Sequence, residues 1–152
     1  MMNLLLNEFA TQVFTKIHLA ERYSKLCDLF SDFDGRLSRV DRKEIIKLLR
    51  PYMYSFKYID NSYYFIENFN EVTFHIKLKV KGGTTHIVFN VEESGEFYDF
   101  RGGDIARIHY LLLDLERGRL VCFTNYQELG IILKEYLEIY EDFKKEIIKQ
   151  LG

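Results

Sequence analysis

Five acidic side chains lie close together in the second half of the chain: Glu92, Glu93, Glu96, Asp99 and Asp104. They open the acidic part of the sequence, because residues 92–152 carry a net charge of −5 whereas residues 1–91 carry +3. Acidic loops on a small rigid scaffold suit the masking of a basic protein surface. We therefore predict that these residues bind a protein partner, with ordinary solvated loops as the alternative.

A second group of charged side chains alternates with apolar residues just before this cluster. Its members are His75, Lys77, Lys79, Lys81 and, beyond Gly82-Gly83, His86. On one face of a sheet they would form a basic surface for single-stranded nucleic acid or a small ligand. The overall charge of −2 and the pI near 6.1 make a dedicated nucleic-acid binder the less favoured interpretation. Solvated lysines that discourage aggregation are a further alternative.

The sequence predicts neither a metal site nor a cofactor. In the register derived below, His75 and His86 share a sheet face but lie roughly 13 Å apart, too far to bind one metal ion. His18 and His109 fall on other elements. Both glycine pairs lack the context of a nucleotide-binding loop, and no nucleophile motif such as GxSxG occurs. We therefore expect a protein that is not an enzyme.

Composition predicts one globular domain over residues 1–152. The chain is 47% hydrophobic and 16% aromatic, which is enough apolar area for a core without disulfides. Cys27 and Cys122 fall on apolar faces and are predicted to be small buried hydrophobes. Because neither a signal peptide nor an 18-residue apolar run is found, we expect a cytoplasmic protein without a membrane partner.

Periodicity of three and four residues predicts three helices. The first covers residues 4–30 without interruption. The second is short, begins with Ser38 as N-cap and ends at Pro51, since the residue before a proline rarely stays helical. The third begins at a capping box that starts with Thr124 and runs to the end of the chain.

Three hairpins are predicted between these helices. Residues 52–59 and 62–69 form the first, around Asp60-Asn61. The second turns at Gly82-Gly83, so paired residue numbers sum to 165 and Leu78, Ile76 and Phe74 face apolar partners. A short strand over 96–100 follows. Residues 111–115 and 119–123 are read as the third hairpin, with a helix over 105–115 as the alternative.

The predicted fold class is therefore α+β: two N-terminal helices, a central antiparallel sheet of six or seven strands built from hairpins, and a long C-terminal helix. Short connections imply antiparallel neighbours. The helices should cover one face of the sheet and leave the other at least partly open.

The closing part of the chain carries a resemblance. Its run of Leu111-Leu112-Leu113-Asp114, Gly118, Thr124, Glu128-Leu129, Leu133, Tyr136 and Phe143 resembles the small immunity proteins of bacterial contact-dependent growth inhibition and related polymorphic toxins. The resemblance implies a non-catalytic inhibitor that binds one cognate toxin domain 1:1, for example a basic nuclease. The alternatives are a nucleic-acid or small-ligand binding module and an enzyme of unfamiliar type.

Overall fold

The computed structural model describes residues 8–97 and 103–151. The helices are α1 (Glu8–Lys16), α2 (Leu19–Leu29), α3 (Arg42–Leu49), α4 (Ile105–Leu113) and α5 (Tyr126–Leu151). The strands are β1 (Lys57–Ile59), β2 (Ser62–Phe69), β3 (Val72–Lys81), β4 (Thr84–Glu93), β5 (Glu96–Phe97) and β6 (Val121–Cys122). The predicted α+β class is confirmed, as are the antiparallel sheet and the long C-terminal helix.

The hairpin of β3 and β4 forms the centre of the sheet in the predicted register. Leu78 lies opposite Ile87, and the residue numbers of the neighbouring pairs also add up to 165. Gly82 and Gly83 have φ angles of 62° and 81°, which is the left-handed conformation that a tight turn requires and that glycine adopts without strain. Apolar side chains alternate with polar ones, so one face of this hairpin is buried and the other carries the charges.

The sheet runs in chain order from β1 to β5, and β6 adds two residues beside β4. Its outer strand β1 is shorter than predicted and begins only at Lys57. The preceding residues bond locally, with the Phe56 amide donating to the Tyr54 carbonyl and the Tyr52 amide to Leu49. Those backbone groups are therefore not engaged in a strand ladder. The predicted count of six or seven hairpin-built strands is not confirmed.

The third predicted hairpin is wrong. Residues 105–113 form α4, which begins where the Asp104 carboxylate accepts a hydrogen bond from the Ala106 amide at 2.9 Å. It ends at Asp114 in the left-handed conformation. The apolar residues of this segment follow the helical period, and Ile105 and Ile108 are fully buried. Residues 121–122 do form a strand, but they pair with β4.

The N-terminal helix is interrupted, which the sequence did not predict. His18 adopts a left-handed conformation with φ of 58°, so the predicted helix divides into α1 and α2. The change of direction lets both segments bury their apolar faces, with Phe14 against the sheet and Tyr23 against α4. The next helix also begins later than predicted, because Asp41 rather than Ser38 accepts the capping hydrogen bond, from the Lys43 amide.

The long helix α5 covers the buried face of the sheet. Phe143 of this helix lies 5.0 Å from Phe89 and 5.3 Å from Phe14, measured between ring centroids. The start of the helix carries a capping motif one residue later than predicted. Asn125 accepts from the Glu128 amide, and the Glu128 carboxylate accepts from the Thr124 amide. Burial of the aromatic stripe of α5 therefore forms the core.

Candidate functional site

The sheet face that points away from α5 is the main candidate surface. Lys77, Lys79 and Lys81 of β3 are exposed on this side, whereas the residues between them are buried. The register places neighbouring side chains of β1, β2 and β4 on the same face. We call this surface the outer face; it carries Lys57, Ile59, Tyr64, Ile66, His75, Lys77, Lys79, Lys81, His86 and Glu92.

Two residues of the acidic cluster lie next to the two histidines of the basic group. The Glu92 carboxylate lies 3.0 Å from Nε2 of His75, and the Asp104 carboxylate lies 3.1 Å from Nδ1 of His86. All four side chains are partly buried. Two members of the acidic cluster therefore have basic partners within the chain. The acidic cluster and the basic face are not separate surfaces at this point.

The remaining residues of the acidic cluster are Glu93, Glu96 and Asp99. Glu93 lies near the end of β4, directly opposite Glu96 in β5. Asp99 lies outside the residues that the structure describes. Their role in partner binding stays a prediction.

Asp104 also organises the edge of the sheet. It follows Gly103, whose carbonyl accepts from the Phe89 amide at 2.8 Å, so this segment lies along β4. A Cβ atom at Gly103 would lie 2.1 Å from the Phe89 carbonyl oxygen, which explains the glycine. Burial alone would raise the pKa of Asp104, but bonds from His86 and the Ala106 amide outweigh it and lower this pKa below its usual 3.8. One carboxylate thus joins α4 to the outer face.

Replacing Asp104 with asparagine should flatten the dependence of stability on acidic pH. The asparagine oxygen can still cap α4, but the charge is lost. Because the pKa is lowered on folding, the wild-type carboxylate stabilises the fold above about pH 4 and loses this contribution as the pH falls through the folded-state pKa. Urea unfolding between about pH 2.5 and 6 should show a difference of ~1 kcal/mol that disappears in acid. Parallel profiles would contradict this role.

A partly buried serine and a buried histidine form a pair between α2 and α4. Oγ of Ser24 lies 2.7 Å from Nε2 of His109, whose side chain is 0% exposed. A hydroxyl beside an imidazole is the geometry of a nucleophile and its base. Nδ1 of His109, however, has no hydrogen-bond partner among the described residues, so none of them orients the ring as a catalytic base requires. In this arrangement the pair links two helices.

His109 should make the protein less stable as the pH falls below about 6.5. Burial, reinforced by the charge of Arg119, lowers its pKa, so the folded state binds a proton less readily than the unfolded chain. Stability should therefore fall by up to about 1.4 kcal/mol per pH unit below that value. A His109→Gln variant should lack this slope in unfolding experiments from pH 7 to 4.5. Equal slopes in both proteins would rule out the assignment.

Both cysteines lie where the sequence predicted, as buried free thiols. Burial raises the pKa of Cys27 to about 11, which keeps the thiol protonated and unreactive at neutral pH. Within residues 8–97 and 103–151, no group of three or more histidine, cysteine or carboxylate side chains could hold a metal ion. No helix in the described part of the chain has the length and apolar character of a membrane span.

Exposed apolar side chains are concentrated in one stretch of the chain. Of the twelve large hydrophobic residues that are exposed among the described residues, six fall within residues 46–69, less than a fifth of that part. Met53 is 96% exposed, Ile59 56% and Ile66 49%. The other three are Ile46, Tyr58 and Phe69. The sequence analysis did not identify this region, although its alternating tyrosines and phenylalanines were visible.

Comparison with known proteins adds no relative to this description. No family model matches the chain, and neither a curated protein nor a solved structure matches it.

Proposed function

We propose that the chain is a non-catalytic inhibitor of the immunity-protein type, which neutralises a cognate toxin domain by tight 1:1 binding. The observation that carries this proposal is the exposure of Ile59 and Ile66 beside the lysines of the outer face, within residues 46–69, where half of the exposed large apolar side chains of the described residues lie. Exposed apolar surface bordered by charged residues is typical of protein-binding sites. Ile59 and Ile66 lie on the outer face, which also carries Lys77 and Lys79.

The rigid support beneath this surface favours the same function. Ile66 belongs to β2, whose other face packs on the aromatic core through Tyr63 and Phe65, and Ile59 lies in β1, which pairs with β2. A preorganised surface loses little conformational entropy when it binds, and such preorganisation favours high affinity. The acidic cluster at residues 92–104 is the second proposed contact region, suited to a basic partner such as a nuclease.

Co-expression with the product of the neighbouring gene tests the proposal. We expect the two chains to co-purify with the mass of a 1:1 complex in light scattering. An Ile59→Asp/Ile66→Asp variant should weaken the complex by about 2 kcal/mol or more, because buried apolar anchors dominate such interfaces. Ile131→Asp, an exposed position on α5, is the matched control and should leave the affinity unchanged.

A Glu93→Lys variant tests separately whether the acidic cluster contacts the partner. Reversal of this charge should slow association with a basic partner and make the rate less sensitive to salt. Failure to form any complex with the neighbouring product would count against the proposal as a whole. An unchanged association rate would remove only the acidic cluster from the interface.

One observation favours a second candidate, a nucleic-acid binding module. Tyr64 lies between Lys57 and Lys77 in one row across three strands of the outer face, so an aromatic ring is flanked by two cations. Bases stack on such rings while cations hold the phosphates. This candidate predicts steeply salt-dependent binding of a single-stranded RNA oligonucleotide that Lys77→Glu/Lys79→Glu abolishes. Absence of salt-dependent binding would eliminate it.

A further inference from the structure

A cavity of about 340 Å³ lies where α3 meets the outer strand of the sheet. Its rings come from the segment after Pro51 and from the first two strands. They belong to Tyr52, Tyr54, Phe56, Tyr58 and Tyr63. Apolar cavities of a few hundred Å³ with a few polar groups at the rim are the usual form of small-ligand sites.

Ring contacts hold the walls of this cavity in place. Tyr54 stacks on Phe65 with centroids 4.2 Å apart, and Phe56 meets the same ring edge-on at 5.2 Å. Tyr58 lies 5.0 Å from Tyr63, which is buried. Since Phe65 is itself part of the core, the rings are supported from behind. The cavity is therefore preformed, and a ligand would not need to order it.

The charges that line the cavity are of one sign. Among the described residues, Arg50 and Lys57 are the charged ones that line it, and the guanidinium of Arg42 lies 4.5 Å from the centre of the Tyr58 ring. Two carboxylates of α5 lie beside tyrosines that line the cavity. Glu141 accepts a hydrogen bond from the Tyr54 hydroxyl, and Glu138 lies near the hydroxyl of Tyr52.

This distribution gives the cavity a polarity. A negative group would be attracted by the cations at Arg50 and Lys57 and repelled at the α5 end. Burial raises the pKa of Tyr63 to about 12, so its hydroxyl remains neutral and does not oppose an anion. Between the two ends, the walls offer mainly rings and the side chains of Ile46 and Leu49.

We propose that this cavity binds an amphipathic organic anion, with its apolar body against the tyrosine and phenylalanine rings and its single carboxylate or sulfonate at Arg50 and Lys57. The rings of the site lie apart from the outer face, since Tyr58 and Tyr63 point to the helix-covered side of the sheet, whereas Lys57 lies at the edge and belongs to both. The inference extends beyond the inhibitor function, although Ile46 and Tyr58 belong to both regions.

The test uses 1-anilinonaphthalene-8-sulfonate as a fluorescent probe on the whole chain, with decanoate and neutral decanol as competitors. We expect one probe molecule to bind per chain and decanoate to displace it. Decanol should compete at least about tenfold less well, because it lacks the charge-assisted bonds. Ile46→Trp, a half-exposed position at the cavity, should abolish probe binding without unfolding the protein, as circular dichroism would verify.

Charge variants separate anion recognition from simple apolar binding. Arg50→Gln/Lys57→Gln should weaken decanoate binding by about tenfold or more. Lys43→Gln/Lys47→Gln removes two cations of α3 that do not line the cavity and should change nothing. Equal competition by decanol and decanoate, or decanoate binding that survives Arg50→Gln/Lys57→Gln, would overturn the proposal. Absence of probe binding to the wild-type chain would also overturn it. A finding that Ile46→Trp weakens only a complex with a partner protein, and not probe binding, would do the same.

Discussion

Replacing Phe143 with alanine is expected to lower the free energy of unfolding by about 3–5 kcal/mol. The ring is fully buried on α5 and contacts Phe14, Phe74 and Phe89, so it joins two helices to the centre of the sheet. Alanine would remove the aromatic contacts and leave a cavity that three fixed rings cannot fill. Urea unfolding at neutral pH, followed by far-ultraviolet circular dichroism, measures the loss.

Ile131→Ala is the control on the same helix. This side chain is 51% exposed, so its truncation should change stability by less than about 0.5 kcal/mol. Similar effects of the two substitutions would contradict the position of α5 over the sheet.

Replacing Lys144 with methionine is expected to lower the free energy of unfolding by about 2 kcal/mol. The lysine side chain is only 13% exposed, and its ammonium group lies 3.1 Å from the Glu67 carboxylate and 3.0 Å from that of Glu141. Its removal leaves two carboxylates without their counter-charge. The cost should be smaller than the 3–5 kcal/mol typical of a fully buried pair, because Glu141 is 38% exposed and water screens it.

Two further variants identify the cause of this loss. Lys145→Met removes an exposed lysine next along α5 and should be nearly neutral. Adding Glu67→Gln to Lys144→Met should recover part of the stability, since one uncompensated charge is removed with it. A double variant that is no more stable than Lys144→Met alone would show that the loss arises from packing.

The central hairpin could be predicted because two independent signals agree there. Alternation from Val72 to Lys81 assigns the buried face, and Gly82-Gly83 sets the register through backbone conformation. The segment of α4 carries no comparable agreement. Its apolar residues follow the helical period, but the segment is short enough to be read as a strand. The hydrogen bond from the Ala106 amide to Asp104 marks where the helix begins.

The break at His18 had no clear signal in the sequence, because the apolar stripe continues through it. It reflects tertiary packing, since α1 and α2 bury their stripes against different elements. The same applies to residues 52–56, where alternating rings suggested a strand. Tyr52, Tyr54 and Phe56 instead line the cavity beside α3.

The meeting of the acidic and basic groups was predictable in part. The 165 register already places Glu92 opposite Thr73, on the same face as His75 and one step along the strand. The pairing of Asp104 with His86 was not predictable, because it depends on how the chain returns along β4 at Gly103. Local pattern thus defined the strands of the candidate site, and non-local contacts decided which charges meet there.

Titration of the cognate toxin domain with the purified chain tests the proposed inhibitor function most directly. At toxin concentrations far above the dissociation constant, toxin activity should fall linearly and reach zero at one equivalent of the chain. Loss of activity at far less than one equivalent would mean that the chain acts catalytically. Full activity in the presence of excess chain would mean that it does not inhibit this partner, and either result would contradict the account.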